Sequence, residues 1–369
     1  MSPLWKETPL IYSDTLSNSL EASVYLKLEN IHPSYSFKYR GISHFIQQAK
    51  DKHGPSVHAV IASGGNAGLA AAYAARVLDV KCTVHLPMGA ASTTLSFLRQ
   101  QKANVIITGA FYSETLETAR KVLEQDEHAV MIPAYDDPIL WEGHASMVSE
   151  ISHQLSVKPD AIFCSVGGGG LLGGLIVGCK HIGWDDVPLV ALETIGSDCF
   201  YHSMSLNRGR FNSVSRTLPS GIDLIHNTKQ DVYLAHFNSF SSKASGSLGA
   251  SVSSAGVVKM ALERVGNTKC VSVADELSME ACLQFADDHK LLVELACSTT
   301  LVPAYKPALF NKLVPRRDQQ GDKRPTVVFV ICGGFKISGA DLRNYENWLR
   351  EKVDASWNVK YDDGSLLIV

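Results

Sequence analysis

The stretch SVGGGGLLGGL, residues 165–175, decides what this chain can fold into. It follows the apolar, strand-like run AIFCSV and leads into a helical pattern, so it predicts a tight strand-to-helix turn. Consecutive glycines at such a junction can direct their N–H groups toward one anion at the helix N-terminus. The stretch lacks the lysine and the Ser/Thr of a Walker loop, and its glycine spacing is not that of a dinucleotide-binding loop. We predict a site for a monophosphate group; the alternative is a turn that needs glycine only for close packing.

Strand-like runs and helical patterns alternate along most of the chain. The apolar runs lie near seven positions: Ala59, Cys82, Asn104, Ala129, Ala161, Pro188 and Thr326. This alternation predicts parallel βαβ units in two α/β domains, where ligands bind at the carboxyl ends of the strands. The serine-rich segment Asn207–Val258 is predicted to contain loops and short helices. Apolar residues at helical spacing after Glu276 predict a helix pair packed on the sheet.

A second glycine-rich junction, SGGNAG, begins at Ser63 and follows the run near Ala59. Its backbone amides and the Ser63 hydroxyl can hold a carboxylate, and Asn66 offers an amide donor and an acceptor. Upstream, HPSYSFKYRG (residues 32–41) places Lys38 after one aromatic residue and before another. An isolated lysine would be expected to be a solvated surface charge. Combined with a phosphate site and a carboxylate site, however, a reactive amine is what pyridoxal phosphate chemistry requires.

The composition of the chain indicates which kinds of ligand and which cellular compartment to expect. The 369 residues are 45% hydrophobic with a formal net charge of -3, and no run of basic residues indicates nucleic acid or an anionic membrane surface as a partner. No apolar stretch approaches the roughly 18 residues of a membrane span, and the N-terminus lacks a signal-peptide pattern. Eight cysteines without a CxxC pair favour reduced thiols over disulfides or zinc. We expect a soluble, cytoplasmic protein that binds small molecules.

Seven segments of the chain resemble the fold-type II pyridoxal-phosphate enzymes, and among them the L-serine dehydratase/L-threonine deaminase family. They occur in the family's order from about Val24 to Gly334: VYLKLENIHPSYSFKYRG, SGGNAGLAAAYAAR, DDPILWEGHAS, SVGGGGLLGG, VALETIG, DDHKLLVELAC and VVFVICGG. The resemblance implies a two-domain α/β fold like that of tryptophan synthase β, with parallel-rich sheets flanked by helices and the cofactor in the cleft between the domains. Residues 1–37 and 136–369 would form a large domain that binds the cofactor phosphate. Residues 38–135 would form a small domain with the lysine and the carboxylate loop.

The resemblance also implies roles for individual residues. Lys38 would be the catalytic residue and the Schiff-base lysine. The other cofactor-binding residues would be the four cradle glycines, Asn66 beside the phenolic oxygen and Cys332 facing the pyridine nitrogen: Gly167, Gly168, Gly169, Gly170, Asn66 and Cys332. The substrate carboxylate would bind Ser63, Gly64, Asn66 and Ala67.

The reaction implied by the family is the α,β-elimination of L-serine, and of L-threonine as a second substrate, to a 2-oxo acid and ammonia. A thiol at Cys332 cannot keep the pyridine nitrogen protonated as a carboxylate would, which favours elimination over transamination. Serine racemases carry a hydroxyl residue where Gly64 stands here, and cysteine synthases usually have serine where Cys332 stands. The alternatives are a cysteine-synthase-like β-replacement enzyme, a cofactor-binding relative with lost or altered activity, and a nucleotide-binding protein without covalent chemistry.

The family resemblance further implies a homodimer and a potassium ion bound by Glu193 and the Ser197 carbonyl. Cys199 stands where a serine ligand of that cation is expected, and a thiol suits a hard cation poorly. Two departures lie close to the implied cofactor. Tyr35 replaces a glycine or similarly small residue, which is expected to reshape the pocket or change the local backbone angle. The sequence Phe335–Lys336 replaces the Ser-Asn that commonly follows the final glycine pair.

Overall fold

The computed structural model describes residues 2–109, 112–207, 218–314, 324–352, 356–362 and 364–368. The strands are β1 Leu10–Tyr12, β2 Ser23–Leu28, β3 His58–Ala62, β4 Lys81–Leu86, β5 Asn104–Ile107, β6 Ala129–Met131, β7 Ala161–Ser165, β8 Leu189–Thr194, β9 Ile222–Asn227, β10 Val232–Phe237, β11 Thr268–Val273, β12 Thr326–Ile331, β13 Asn358–Tyr361 and β14 Leu366–Ile368. The α-helices are α1 Asp14–Leu20, α2 Lys38–His53, α3 Asn66–Leu78, α4 Ser92–Gln100, α5 Tyr112–Gln125, α6 Pro138–Gln154, α7 Gly170–His181, α8 Cys199–Leu206, α9 Ser245–Leu248, α10 Ala255–Glu263, α11 Asp275–His289, α12 Leu295–Ser298, α13 Val302–Tyr305, α14 Pro307–Leu313 and α15 Gly339–Arg350. Short 3-10 turns lie at Glu29–Ile31 and Thr299–Leu301.

Four strands form a small parallel sheet in the order β5-β4-β3-β6. Strand β3 is buried along its whole length, because helices α3 and α5 pack against this sheet. A parallel strand covered on both faces reads as a continuous apolar run, which is why HAVIA lacks the alternation of a half-exposed strand. The strands predicted near Ala59, Cys82, Asn104 and Ala129 are confirmed.

A larger sheet of eight strands has the order β1-β2-β12-β7-β8-β11-β13-β14. Its five central strands, from β2 to β11, are parallel, and antiparallel strands close both edges. Strands β7, β8 and β12 are fully buried and confirm the runs predicted near Ala161, Pro188 and Thr326. The two parallel-rich sheets with flanking helices confirm the α/β fold.

The packing of helix α2 on its neighbours positions the first residue of α2. Helix α2 packs on both α3 and α6, and α6 packs along α7. The α6–α7 approach is so close that a β-carbon on Gly174 would lie 2.2 Å from the β-carbon of His144. Glycine at position 174 therefore lets the backbones of α6 and α7 approach closely. Because α6 also packs on α2, it connects the position of α7 to that of α2.

The prediction for Asn207–Val258 is wrong in one respect. Alongside α9 and α10, this segment forms an antiparallel hairpin in which β9 pairs with β10 from Ile222↔Phe237 to Asn227↔Val232. Residues 208–217 lie outside the described part of the chain. The hairpin was missed because β9 is largely exposed and has no clear apolar period, so only tertiary packing of β10 on α8 fixes it. The helix pair after Glu276 is confirmed as α11 packed against α12, the second 3-10 turn and α13.

Candidate active site

One cavity, partly open to solvent, is lined by residues that follow strands of both parallel-rich sheets. It is bounded by the carboxyl ends of β7 and β12, the first residue of α2 and the first residue of α3. The predicted residues that line it are Lys38, Asn66, Gly167, Gly168, Gly169, Gly170 and Cys332. Segments that are far apart in sequence therefore converge on a single space, as expected for the carboxyl edges of parallel strands.

Lys38 is the first residue of α2, and its Nζ donates a hydrogen bond of 2.8 Å to the carbonyl oxygen of Ala134. The ammonium also lies 5.1 Å from the centre of the Phe37 ring. Lys38 keeps some accessible surface because it faces the cavity, but burial lowers its pKa to about 8. The nearby Cys332 and Glu294 oppose this shift only in part. Lys38 is thus an amine that loses its proton more readily than a solvated lysine does.

The tetraglycine turn follows β7 and leads into α7. Gly169 has φ +99°, a left-handed conformation that side chains rarely adopt. A β-carbon on Gly168 would lie 2.4 Å from the Tyr135 ring, and one on Gly167 would lie 2.9 Å from the Leu248 carbonyl oxygen. The turn therefore needs glycine both for its backbone angle and for the packing around it. It leaves the first N–H groups of the twelve-residue helix α7 at the cavity wall.

The SGGNAG loop joins β3 to α3. Asn66 is the first residue of α3 and lines the cavity, whereas Ser63, Gly64 and Ala67 are not among the lining residues. The Asn66 amide nitrogen donates to Glu294 at 2.9 Å, and its buried amide oxygen has no hydrogen-bond partner in the described structure. The Ser63 hydroxyl accepts a hydrogen bond of 3.3 Å from the Gly65 N–H. An acceptor such as the Asn66 oxygen, buried without a donor, indicates that a donor-bearing ligand completes the site.

Cys332 follows the last residue of β12 and is 8% exposed. Its sulfur lies 3.3 Å from the Ser165 hydroxyl, and its N–H donates to the Cys297 sulfur at 3.1 Å. Burial raises the pKa of Cys297 well above its ordinary value, so this thiol keeps its proton. At Cys332 the carboxyl end of β12 thus offers weak hydrogen-bonding groups to the cavity.

The two predicted cation ligands lie beneath the glycine turn and outside the cavity. The Glu193 carboxylate is fully buried and accepts hydrogen bonds from the N–H groups of Phe200 (2.9 Å) and Tyr201 (2.6 Å). Burial and the neighbouring Asp198 raise the pKa of Glu193 well above its usual range. The Ser197 hydroxyl is buried without a hydrogen-bond partner. Among the described residues, no cluster of three or more His, Cys, Asp and Glu side chains has the arrangement of a metal site.

Glu294 was missed by the sequence analysis. It is 3% exposed, lines the cavity, and accepts hydrogen bonds from Asn66, from the Ser247 hydroxyl (2.7 Å) and from the Phe335 N–H (3.2 Å). Ser247 also lines the cavity, so the serine-rich segment contributes to the site and is more than a surface connection. Asn66 and Glu294 are 228 positions apart, and no pattern in the sequence pairs them.

Tyr35 has φ +60°, so the left-handed backbone is adopted by a tyrosine where glycine was expected. Its ring does not line the cavity. It packs instead in an aromatic cluster with Phe335 at 5.8 Å and Phe97 at 6.3 Å between ring centres. Tyr35 thus adopts the left-handed angle itself, and its ring lies between Phe97 of α4 and Phe335, which follows β12.

These residues fit a phosphorylated aldehyde cofactor. A primary amine, a turn of free N–H groups that only glycine can form and an unpartnered buried amide oxygen surround one cavity. A site that combines an amine with an anion-binding turn is characteristic of an enzyme that attaches pyridoxal phosphate to lysine. The sequence matches the family described as "Pyridoxal-phosphate dependent enzyme" over residues 1–333, and the chain belongs to that family.

Within this family the chain groups with the L-serine dehydratase/L-threonine deaminase proteins. It is 36% identical over 344 residues to human L-serine dehydratase/L-threonine deaminase, covering 92% of this chain and 94% of that one. It is 31% identical to L-serine dehydratase of Dictyostelium discoideum over 360 residues, covering 93% and 91%. Among solved structures, a fungal L-serine ammonia-lyase from Rhizomucor miehei superposes with a TM-score of 0.79 at 31% identity, covering 94% of this chain and 99% of that one.

Proposed function

We propose that this protein eliminates water from L-serine, and from L-threonine as a second substrate; the released enamine then reacts with water to give the 2-oxo acid and ammonia. The observation that carries the proposal is the meeting of Lys38 with the tetraglycine turn in one cavity that also has Asn66 on its wall. An amine that must act on a phosphorylated cofactor and a bound amino acid needs both neighbours within its reach. The relatives named above, which share about a third of their residues with this chain, support the choice of substrate class.

Four groups of the chain would hold the cofactor. Lys38 would bind its aldehyde carbon, the N–H groups of Gly167–Gly170 its phosphate, Asn66 its phenolic oxygen and Cys332 would face the pyridine nitrogen. When bound, the cofactor withdraws electrons from the substrate's α-carbon, and this makes loss of the α-proton and of the β-hydroxyl feasible. Because a thiol such as Cys332 is at most a weak hydrogen-bond donor, that withdrawal would be moderate, which favours elimination over transamination.

Lys38 would also move the proton. With a pKa of about 8, about one amine in ten is neutral at pH 7, far more than for a solvated lysine. A neutral Nζ accepts the proton from the substrate's α-carbon, and the Ala134 carbonyl, 2.8 Å away, keeps the amine oriented toward the cavity. The loop Ser63–Ala67 would hold the substrate carboxylate through its free N–H groups at the start of α3 and through the Ser63 hydroxyl.

Two related reactions are less well supported. Racemisation needs a hydroxyl on the opposite face of the substrate, and Gly64 has no side chain to provide it. Replacement of the β-substituent, as in cysteine synthases, uses the same lysine and loop. The thiol of Cys332, where those enzymes usually have serine, argues against it.

A direct test is a 2-oxo acid and ammonia assay with purified, cofactor-loaded protein across a panel of L-amino acids. We expect equal yields of oxo acid and ammonia from L-serine and a lower rate from L-threonine, because the β-methyl group needs extra room. O-acetyl-L-serine with sulfide serves as the comparison for β-replacement. Exclusive formation of cysteine would overturn the elimination reaction, and bound cofactor without turnover of any amino acid would identify an inactive relative.

We also propose a potassium ion beside Glu193 and the Ser197 carbonyl. Burial, and after it the neighbouring Asp198, raise the pKa of Glu193, and the Ser197 hydroxyl nearby in the chain has no hydrogen-bond partner in the described structure, so a cation here would relieve charge repulsion. The Cys199 sulfur donates to the Gly167 carbonyl at 3.6 Å, so this region supports the glycine turn.

We expect the thermal midpoint of the holoenzyme to be a few degrees higher in KCl than in choline chloride at equal ionic strength. Glu193→Gln should remove that difference, and equal midpoints for the wild type would exclude the site.

The remaining expectations concern organisation. The division into residues 38–135 and 1–37 plus 136–369 is proposed because each block contains one of the two parallel-rich sheets. A cytoplasmic location is proposed because all eight cysteines are free and buried. The described helices include none that is long and apolar enough to cross a membrane.

A homodimer is proposed from the family resemblance, and a solution mass of one chain by sedimentation equilibrium would contradict it.

A further inference from the structure

Lys336 places a positive charge beside the loop proposed to bind the substrate carboxylate. A β-carbon built on Gly65 would lie 3.2 Å from Lys336 Nζ and 3.8 Å from the Ser63 hydroxyl oxygen. The ammonium and the hydroxyl therefore face the same side of the SGGNAG loop. Nζ donates a hydrogen bond of 2.6 Å to the carbonyl oxygen of Gly246, and the side chain is half-buried.

The backbone holds Lys336 in this position. The N–H groups of Phe335 and Lys336 both point to Glu294 Oε1, at 3.2 Å and 3.5 Å. The same carboxylate oxygen accepts a hydrogen bond from Asn66 in the loop. One buried acid thus fixes Lys336 relative to the first residue of α3. The Phe335 ring adds a second anchor, because it packs against Phe97 at 5.3 Å between ring centres.

The ammonium has capacity for an anionic ligand. A lysine ammonium has three N–H donors, and Gly246 accepts one of them. Glu294 already accepts hydrogen bonds from Asn66, from Ser247 and from the Phe335 N–H. Burial lowers the pKa of Lys336, while Glu294 acts in the opposite direction. A partly desolvated cation with unused donors gains most from a carboxylate placed against it.

We infer that Lys336 is a specificity-determining residue that pairs with the α-carboxylate of the amino acid substrate. This inference rests on the proposed function, in which the Ser63–Ala67 loop holds that carboxylate. The loop offers the substrate carboxylate only the partial positive charges of its N–H groups and a hydroxyl. Lys336 adds a full positive charge near the Ser63 hydroxyl. The site would therefore bind amino acids with a free α-carboxylate more tightly than amides or internal residues of peptides.

Binding to the holoenzyme tests the inference without turnover. L-Alanine has no β-leaving group, and L-alaninamide has the same side chain but no carboxylate; the affinities of both are measured by titration calorimetry. We expect Lys336→Met to weaken L-alanine binding about tenfold and to leave L-alaninamide binding unchanged. Lys336→Arg should recover most of the L-alanine affinity. Lys121→Met is the control, because Lys121 is exposed on α5 and pairs with Glu117 one turn away.

Steady-state kinetics with L-serine give a second readout. Lys336→Met should raise KM about tenfold and leave kcat within about a factor of two, since the residue contacts a group that does not react. Equal affinity of wild type and Lys336→Met for L-alanine would overturn the inference. Equal weakening of L-alanine and L-alaninamide would also overturn it, because the residue would then only hold the loop. If instead the wild type binds L-alanine but forms no oxo acid from L-serine, the proposed function fails while the binding comparison still decides the role of Lys336.

Discussion

Lys38→Ala is expected to abolish covalent cofactor attachment and to reduce turnover of L-serine by at least about a thousandfold. The same amine is assigned both the bond to the cofactor and the transfer of the α-proton, and a missing proton-transfer group alone costs about two to four orders of magnitude. Within the described structure the Lys38 side chain donates one hydrogen bond, to the Ala134 carbonyl, so its removal should leave the fold intact. The measurement combines the visible absorbance of bound cofactor with the oxo acid assay.

The matched control for Lys38 is Lys50→Ala. Lys50 lies in the same helix and also donates to a backbone carbonyl, that of Leu78, but it is not among the cavity residues. The control should retain the absorbance band and near-normal rates. A Lys38→Ala protein that turns over L-serine at the wild-type rate would refute the assignment of this residue.

Gly168→Ala has the second largest expected effect. Its added β-carbon would lie 2.4 Å from the Tyr135 ring, and that ring is held by a hydrogen bond of 2.9 Å from the tyrosine hydroxyl to the Val252 carbonyl. Either the ring or the turn must move, and overpacking of this kind costs about 1–3 kcal/mol. If the turn moves, its N–H groups no longer converge on the phosphate, so we expect cofactor affinity to fall about 10- to 100-fold. Equilibrium dialysis of cofactor against the apo-protein measures this loss.

Two further variants isolate the cause in the Gly168 experiment. In Gly168→Ala/Tyr135→Ala the clash is removed, and part of the lost affinity should return. Gly339→Ala is a neutral control, because a β-carbon there meets only Arg343 at 3.7 Å. Unaltered cofactor affinity in Gly168→Ala would show that the tetraglycine turn does not hold the phosphate.

The sequence predicted the parts of the site that are encoded locally. A strand followed by glycines and a helix is a contiguous signal, so the turn at Gly167–Gly170 and the loop at Ser63 could be recognised without a structure. Lys38 required the family resemblance, because a lone lysine between aromatics has no local signature. Its position at the start of α2 depends on how α2 packs on α3 and α6.

The features that were missed depend on contacts between distant segments. Glu294 is recognisable as a site residue only when α12, the SGGNAG loop and the serine-rich segment meet around it. The hairpin of β9 and β10 is similarly specified by packing on α8, while its outer strand is mostly exposed. Tyr35 was noted as a departure, but its aromatic partners Phe97 and Phe335 could not be known from sequence. Tertiary contacts, which have no local period, decide these cases.

The most direct test of the central claim is to reduce the cofactor-loaded protein with borohydride, digest it, and locate the modified residue by mass spectrometry. The geometry around the cavity predicts one phosphopyridoxyl group per chain, attached to the Nζ of Lys38. A modification found on any other lysine, or a reduced protein with an unmodified Lys38 peptide, would contradict the account.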